Sequence, residues 1–141
     1  EFRRVLFRSV PLFSLCHPTD LWTVARHCEL RMANAGSTLI RAGESGSEFF
    51  VLLQGRARRG HGDATRWLEP GDCFGELALL DPAPRSLDVL AETDCMIAVL
   101  SHAQFRLIVD AVPGVAHQLL TFLARRLRAA ELDEERRATE G

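Results

Sequence analysis

The chain contains no lysine and no tyrosine among its 141 residues, and all 17 basic side chains are arginine. The codons of both missing residues are AT-rich, so these absences read as a GC-rich, bacterial genome rather than a functional demand for guanidinium. Excess positive charge is missing too. The formal net charge is −2, whereas a general nucleic-acid or membrane-surface binder is normally clearly basic. No apolar run approaches the roughly 18 residues of a membrane span, and there is no signal-peptide pattern. The four cysteines, Cys16, Cys28, Cys73 and Cys95, form no C-x-x-C pair. Three of them sit among apolar neighbours, as reduced, buried thiols of a cytoplasmic protein do. Cys16-His17 and His27-Cys28 place potential ligands next to each other, an arrangement that rarely fits one tetrahedral site, so no metal or other cofactor is expected. A barrel-type metalloenzyme would need clustered histidines on strands, and no H-x-H occurs.

What is present is ordinary globular material. Hydrophobic residues make up 47% and charged residues 26%, and the length is that of one domain with a full core. Residues 1–9, with three arginines among apolar residues, do not fit the rest and are expected to be a non-native leader. The remainder divides into a domain over 10–132 and a polar tail over 133–141. Within the domain, 10–28 is an N-terminal helical segment in which Pro18-Thr19-Asp20 opens a short helix. Residues 29–100 hold short apolar runs at 30–32, 38–40, 49–53, 56–59, 66–68, 87–91 and 95–100. Gly43-Glu44-Ser45-Gly46, Gly60-His61-Gly62-Asp63 and Pro70-Gly71-Asp72 punctuate them. Turn chemistry recurring this often predicts about eight short strands in an antiparallel barrel or jelly roll, a mainly β, α+β fold. Residues 101–132 are helical again: Ser101-x-x-Gln104 is a capping box, and Pro113-Gly114 separates two helices. In the second helix Ala116, Leu120, Leu123, Leu127 and Ala130 form one apolar stripe, read as core or dimer packing.

The densest chemistry lies between Phe74 and Ser86. Gly75 permits close approach of a ligand to the backbone. Leu77-Ala78-Leu79-Leu80 can make one helical turn whose free N–H groups attract an anion. Arg85 offers a planar fork for two phosphate oxygens, and Ser86 adds a hydroxyl beside it. Glu76 would repel a phosphate, so its role is to accept hydrogen bonds from sugar hydroxyls. An anion together with a sugar means a nucleotide-like ligand. The competing reading is a structural Glu76–Arg85 ion pair.

Phe74, Gly75, Glu76, Leu77, Ala78 and Leu79, followed by Pro84, Arg85 and Ser86, resemble the phosphate-binding cassette of the cyclic nucleotide-binding domain family. The resemblance extends through Val10-Pro11-Leu12-Phe13, Gly43-Glu44-x-Gly46-Ser47, Phe49 to Gly55 and Leu68-x-Pro70-Gly71-Asp72. It implies an eight-stranded β-roll with a short N-terminal helix and two C-terminal helices, a non-catalytic module that binds cyclic AMP or cyclic GMP. By that resemblance Arg85 takes the exocyclic phosphate oxygens, Glu76 and the Gly75 backbone hold the ribose 2′-hydroxyl, and Ala78 N–H and Ser86 complete the cradle. Ser86, where cyclic GMP binders often carry threonine, tilts the expectation to cyclic AMP.

Two positions depart from the pattern. Leu87-Asp88 stands where small or hydroxyl residues are usual, and Asp88 shares the side of Ser86 if the strand alternates there. The segment from Leu123 to Leu127 resembles bacterial cyclic AMP receptor regulators, but their Thr-Ser pair is replaced by Ala130-Glu131. Arg126, Leu127 and Ala130 are therefore only lid candidates. The expectation is a sensor whose last helix moves on binding, with a possible homodimer through that helix, and with no direct nucleic-acid or membrane partner. The alternative is a β-roll without ligand, serving as a dimerisation or interaction module. Trp22 and Trp67 are expected to pack, His61 to be solvated, and Arg56, Arg58 and Arg59 to lie on a strand edge.

Overall fold

The structure is a computed structural model that describes Phe13 and residues 16–60, 62–75 and 84–140. Helix α1 (Pro18–His27) begins with proline at its first turn and buries Leu21, Val24 and Ala25. Eight strands follow: β1 (Glu29–Ala33), β2 (Thr38–Ile40), β3 (Phe49–Gln54), β4 (Ala57–Arg59), β5 (Arg66–Leu68), β6 (Cys73–Phe74), β7 (Val89–Ala91) and β8 (Cys95–Leu100). They form two four-stranded antiparallel sheets, ordered β1-β8-β3-β6 and β2-β7-β4-β5. The eight-stranded antiparallel expectation is borne out. Helices α2 (His102–Ala111) and α3 (Pro113–Glu140) complete the chain.

Strand β3 reads Phe-Phe-Val-Leu-Leu because both of its faces are covered. Side chains alternate across a strand, so Phe49, Val51 and Leu53 meet Leu21, Val24, Phe105 and Ile108 of the helices. Phe50 and Leu52 point the other way, onto Ile40, Ala57, Leu68 and Val89 of the second sheet. Strand β8 is divided likewise, with Ala98 and Leu100 toward the helices and Cys95, Ile97 and Val99 between the sheets. Helices, first sheet and second sheet are thus three layers with two cores.

Ser101 caps α2 as the sequence indicates: its hydroxyl accepts from Gln104 N–H at 3.2 Å, and Gln104 Oε1 accepts from Ser101 N–H at 2.9 Å. Phe105 and Ile108 are buried on that helix. Only Val112 separates α2 from α3, and the two axes bend by 117° there. Pro113 cannot donate to a continuing helix, which accounts for the break. No single helix among the described residues is long and apolar enough to cross a membrane.

Several expectations need correction. Strand β6 is two residues long and was not foreseen. Leu87 and Asp88 precede β7, so strand alternation does not govern Asp88. Strand β4 lies between β7 and β5 rather than at an edge. Trp22 and Trp67 are not core; they are 40% and 42% exposed. Helix α3 continues through Glu140, across the expected tail. Its buried residues are Val115 and Leu119, whereas Leu120, Leu127 and Ala130 of the apolar stripe are exposed. Leu123 of the stripe does pack, partly buried, against the helical core, but the inward face is otherwise offset from the stripe because α3 leaves the body beyond it. Residues 1–9 and His61 lie outside the described residues.

Replacing Ser101 with alanine removes a cap worth about 1 kcal/mol. The melting temperature measured by circular dichroism is expected to fall by roughly 3–5 °C for a domain of this size.

Candidate functional site

The short loop before β7 is stitched to the loop between β2 and β3. Arg85 N–H donates to Glu44 O at 2.9 Å, Gly43 N–H donates to Arg85 O at 2.7 Å, and Ser45 forms an antiparallel bridge with Pro84. Asp88 adds a further tie. Its Oδ1 accepts from Ala42 N–H at 2.7 Å, and its carbonyl accepts from Gly60 N–H at 2.9 Å. The carboxylate that departs from the family pattern is therefore occupied by backbone, which answers the concern that it stands unpaired near an anion.

These ties set the Arg85 side chain between two backbone carbonyls. Nη2 donates to Glu48 O at 2.9 Å and Nη1 to Gly75 O at 3.3 Å, while the guanidinium carbon stands 5.9 Å from the centre of the Phe50 ring. Among the described residues, no carboxylate forms an ion pair with Arg85. Burial lowers its pKa, with Glu48 acting weakly against that. Two carbonyls use only part of the five-donor fork. The rest remains available to an anion.

Two glycines make room for this seat. Gly75 has φ +80°, a conformation that L side chains rarely adopt. A Cβ there would lie 2.9 Å from Glu48 O and 2.9 Å from Arg85 Nη1. At Gly46 a Cβ would lie 2.6 Å from both Nε and Nη2 of Arg85. Gly75 and Arg85 are thus brought together as expected, with Ser86 exposed next to them. Glu76, Leu77 and Ala78 lie outside the described residues, and with them the Glu76–Arg85 ion-pair alternative. Sequence reasoning missed the Gly46, Glu48 and Phe50 contributions. For Gly46 and Phe50 the signal was the motif running from Gly43 into β3.

Beyond β6 lies a cavity of about 470 Å³. Arg59, Arg66, Trp67, Cys73, Phe122 and Arg126 contribute to its walls. Of the three lid candidates, Arg126 is half-buried and reaches it, while Leu127 and Ala130 are exposed on α3. Burial pushes the Cys73 thiol up to about 12, Asp72 acts in the same direction, and Arg126 opposes both. Among the described residues no cluster could hold a metal ion.

The model of the family described as "Cyclic nucleotide-binding domain" matches residues 30–111. The "Cyclic AMP receptor protein" of Thermus thermophilus is 32% identical over 129 residues, covering 87% of this chain and 60% of that protein. The "cAMP-dependent protein kinase regulatory subunit" of Colletotrichum orbiculare is 34% identical over 111 residues, 77% of this chain and 28% of its own length. The chain therefore spans less than two thirds of both relatives. Among solved structures, the Thermus thermophilus catabolite activator protein superposes with a TM-score of 0.82 at 30% identity. That match covers 89% of this chain and 62% of the other.

Two outcomes follow from the geometry. Gly46→Ala is expected to displace the Arg85 guanidinium, moving its Nε–H resonance, at a cost of about 1–3 kcal/mol from overpacking. An unmoved resonance would contradict the close contact. The second concerns alkaline pH. An unfolded Cys73 ionises near 9 and the folded thiol only near 12, so the folded state holds the proton longer. Its contribution to stability is complete below pH 9 and is lost as pH rises toward 12, at up to about 1.4 kcal/mol per pH unit. With no lysine or tyrosine to titrate in that window, urea unfolding at pH 8 and pH 10 should expose a slope set by the thiols. Burial raises Cys16 and Cys95 in the same direction, so Cys73→Ala should reduce the slope without abolishing it.

Proposed function

The chain belongs to the cyclic nucleotide-binding domain family, and from that premise we propose that it is a non-catalytic sensor of a cyclic nucleotide. The observation that carries this reading is the seat of Arg85: a guanidinium held by two carbonyls, without an ion pair to a described carboxylate. A cyclic phosphate meets the open part of the fork through charge-assisted hydrogen bonds. Glu76 and the Gly75 backbone take the ribose 2′-hydroxyl, and Leu77, the Ala78 N–H and the Ser86 hydroxyl complete the cradle. These groups touch phosphate and sugar, which cyclic AMP and cyclic GMP share. At this level the tilt to cyclic AMP rests on Ser86 and on the relatives named for it.

Output passes through α3. Arg126 already borders the cavity, and closure of the helix would bring Leu127 and Ala130 over a bound base as a lid. Binding shifts α3 only if the ligand favours one helix position over another. The exposed Leu120 and Leu127 on the same helix suit pairing with a second copy, which would make the sensor a homodimer in the cytoplasm. Those leucines, with the missing Thr-Ser pair, also favour a second reading in which the roll binds no nucleotide and serves as an interaction module.

A thermal-shift scan separates the two readings, because a ligand that binds only the native state raises the melting temperature. The sensor requires a rise with cyclic AMP or cyclic GMP; the interaction module requires none. Calorimetry on Arg85→Ala should show affinity reduced roughly 10- to 150-fold, and Glu76→Ala should weaken binding as well. Unchanged affinity in both variants would remove the site assignment.

A further inference from the structure

Glu48 meets two arginines with different atoms. Its carbonyl accepts from Arg85 Nη2 at 2.9 Å, while its carboxylate Oε2 stands 3.5 Å from Nη2 of Arg31. Arg31 belongs to β1, which β8 separates from β3, so this ion pair reaches across a whole strand. Register explains how. Arg31 lies opposite Ile97 and Glu29 opposite Val99, and both of those partners belong to the inter-sheet core, as Phe50 does. Directly opposed residues share a face of the sheet. Glu29 and Arg31 are therefore on the face where the Phe50 ring lies beside Arg85, whereas Leu30 between them packs on the helical core. Glu29 Oε2 stands 3.6 Å from the same Arg31 nitrogen, so one guanidinium holds two carboxylates.

The pair contributes little to the fold, because its side chains are 44% and 41% exposed and exposed ion pairs are weak. Its place beside the site gives it another effect. Burial lowers the pKa of Arg85 and the Glu48 charge opposes that shift, so this carboxylate is close enough to act on the seat. Carboxylate and phosphate offer a guanidinium the same two-oxygen geometry. Carbonyls occupy only part of the Arg85 fork. A Glu48 carboxylate released from Arg31 would fill the open part and shut out an anion arriving from solution.

We infer that Arg31 is a positioning residue of the anion seat: by holding the Glu48 carboxylate, it leaves the open edge of the Arg85 fork to a phosphate. The inference rests on the cyclic nucleotide reading above and deepens it, since it names what keeps the seat free before the ligand arrives. Arg31 acts through Glu48 and not on the ligand itself.

The test is calorimetric titration of the full chain, wild type and variants, with cyclic AMP and with cyclic GMP. Arg31→Ala should weaken binding of whichever nucleotide the wild type takes by roughly 3- to 5-fold, near the top of what an exposed ion pair is worth. In the Glu48→Gln background the same Arg31→Ala change should have no effect, because no carboxylate is left to hold off; residues that act through one another are non-additive in this way. Arg31→Lys keeps the charge and should bind as the wild type does. Equal weakening by Arg31→Ala in both backgrounds, or none in either, would overturn the inference and leave the sensor standing. So would melting temperatures that fall in both single variants while the affinities hold, the mark of a pair that merely ties β1 to β3. Binding of neither nucleotide by the wild type would overturn the sensor reading and this inference together.

Discussion

Everything in this domain hangs on two strands that are buried on both faces. Strands β3 and β8 are hydrogen-bonded neighbours, and each divides its side chains between a helical core and an inter-sheet core. A one-residue slip would exchange those faces. That would put Phe49 where Phe50 now stacks on Phe74, whose ring centroid is 5.1 Å away. The strictness of this register carries directly into the site. Glu48 immediately precedes β3, Phe50 lies within it, and Gly75 follows its partner β6. The three groups around Arg85 are therefore positioned by the core rather than by loop geometry.

The site shows a division of labour between loops and strands. The segment carrying Arg85 and Asp88 has little regular structure, and its place is set by hydrogen bonds to residues 42–44 and 60.

Much of this was legible in the sequence, for identifiable reasons. The runs 38–40, 66–68 and 95–100 match observed strands because turn residues or a helix cap bound them closely. The capping box at Ser101 was legible because it is local. Strand β6 was not, since Cys73-Phe74 is too short to show alternation. Of the two readings of the α3 stripe, core or dimer packing, the core one fails at Leu120 and Leu127, which have the right spacing for a core but lie beyond what the body covers. The seat of Arg85 was hidden for another reason. It is made of backbone carbonyls, which every residue has, and of space left by Gly46.

The joint at Val112 gives α3 mechanical leverage. A helix of 28 residues is about 42 Å long, and beyond Leu119 only Phe122 and Leu123, partly buried, pack against the helical core. By simple geometry, a turn of about 10° at that joint carries the far end through about 7 Å. The same turn shifts Leu119, about 10 Å from the joint, by about 2 Å, so a small repacking at the core would arrive at Glu140 as a movement wider than a turn of helix.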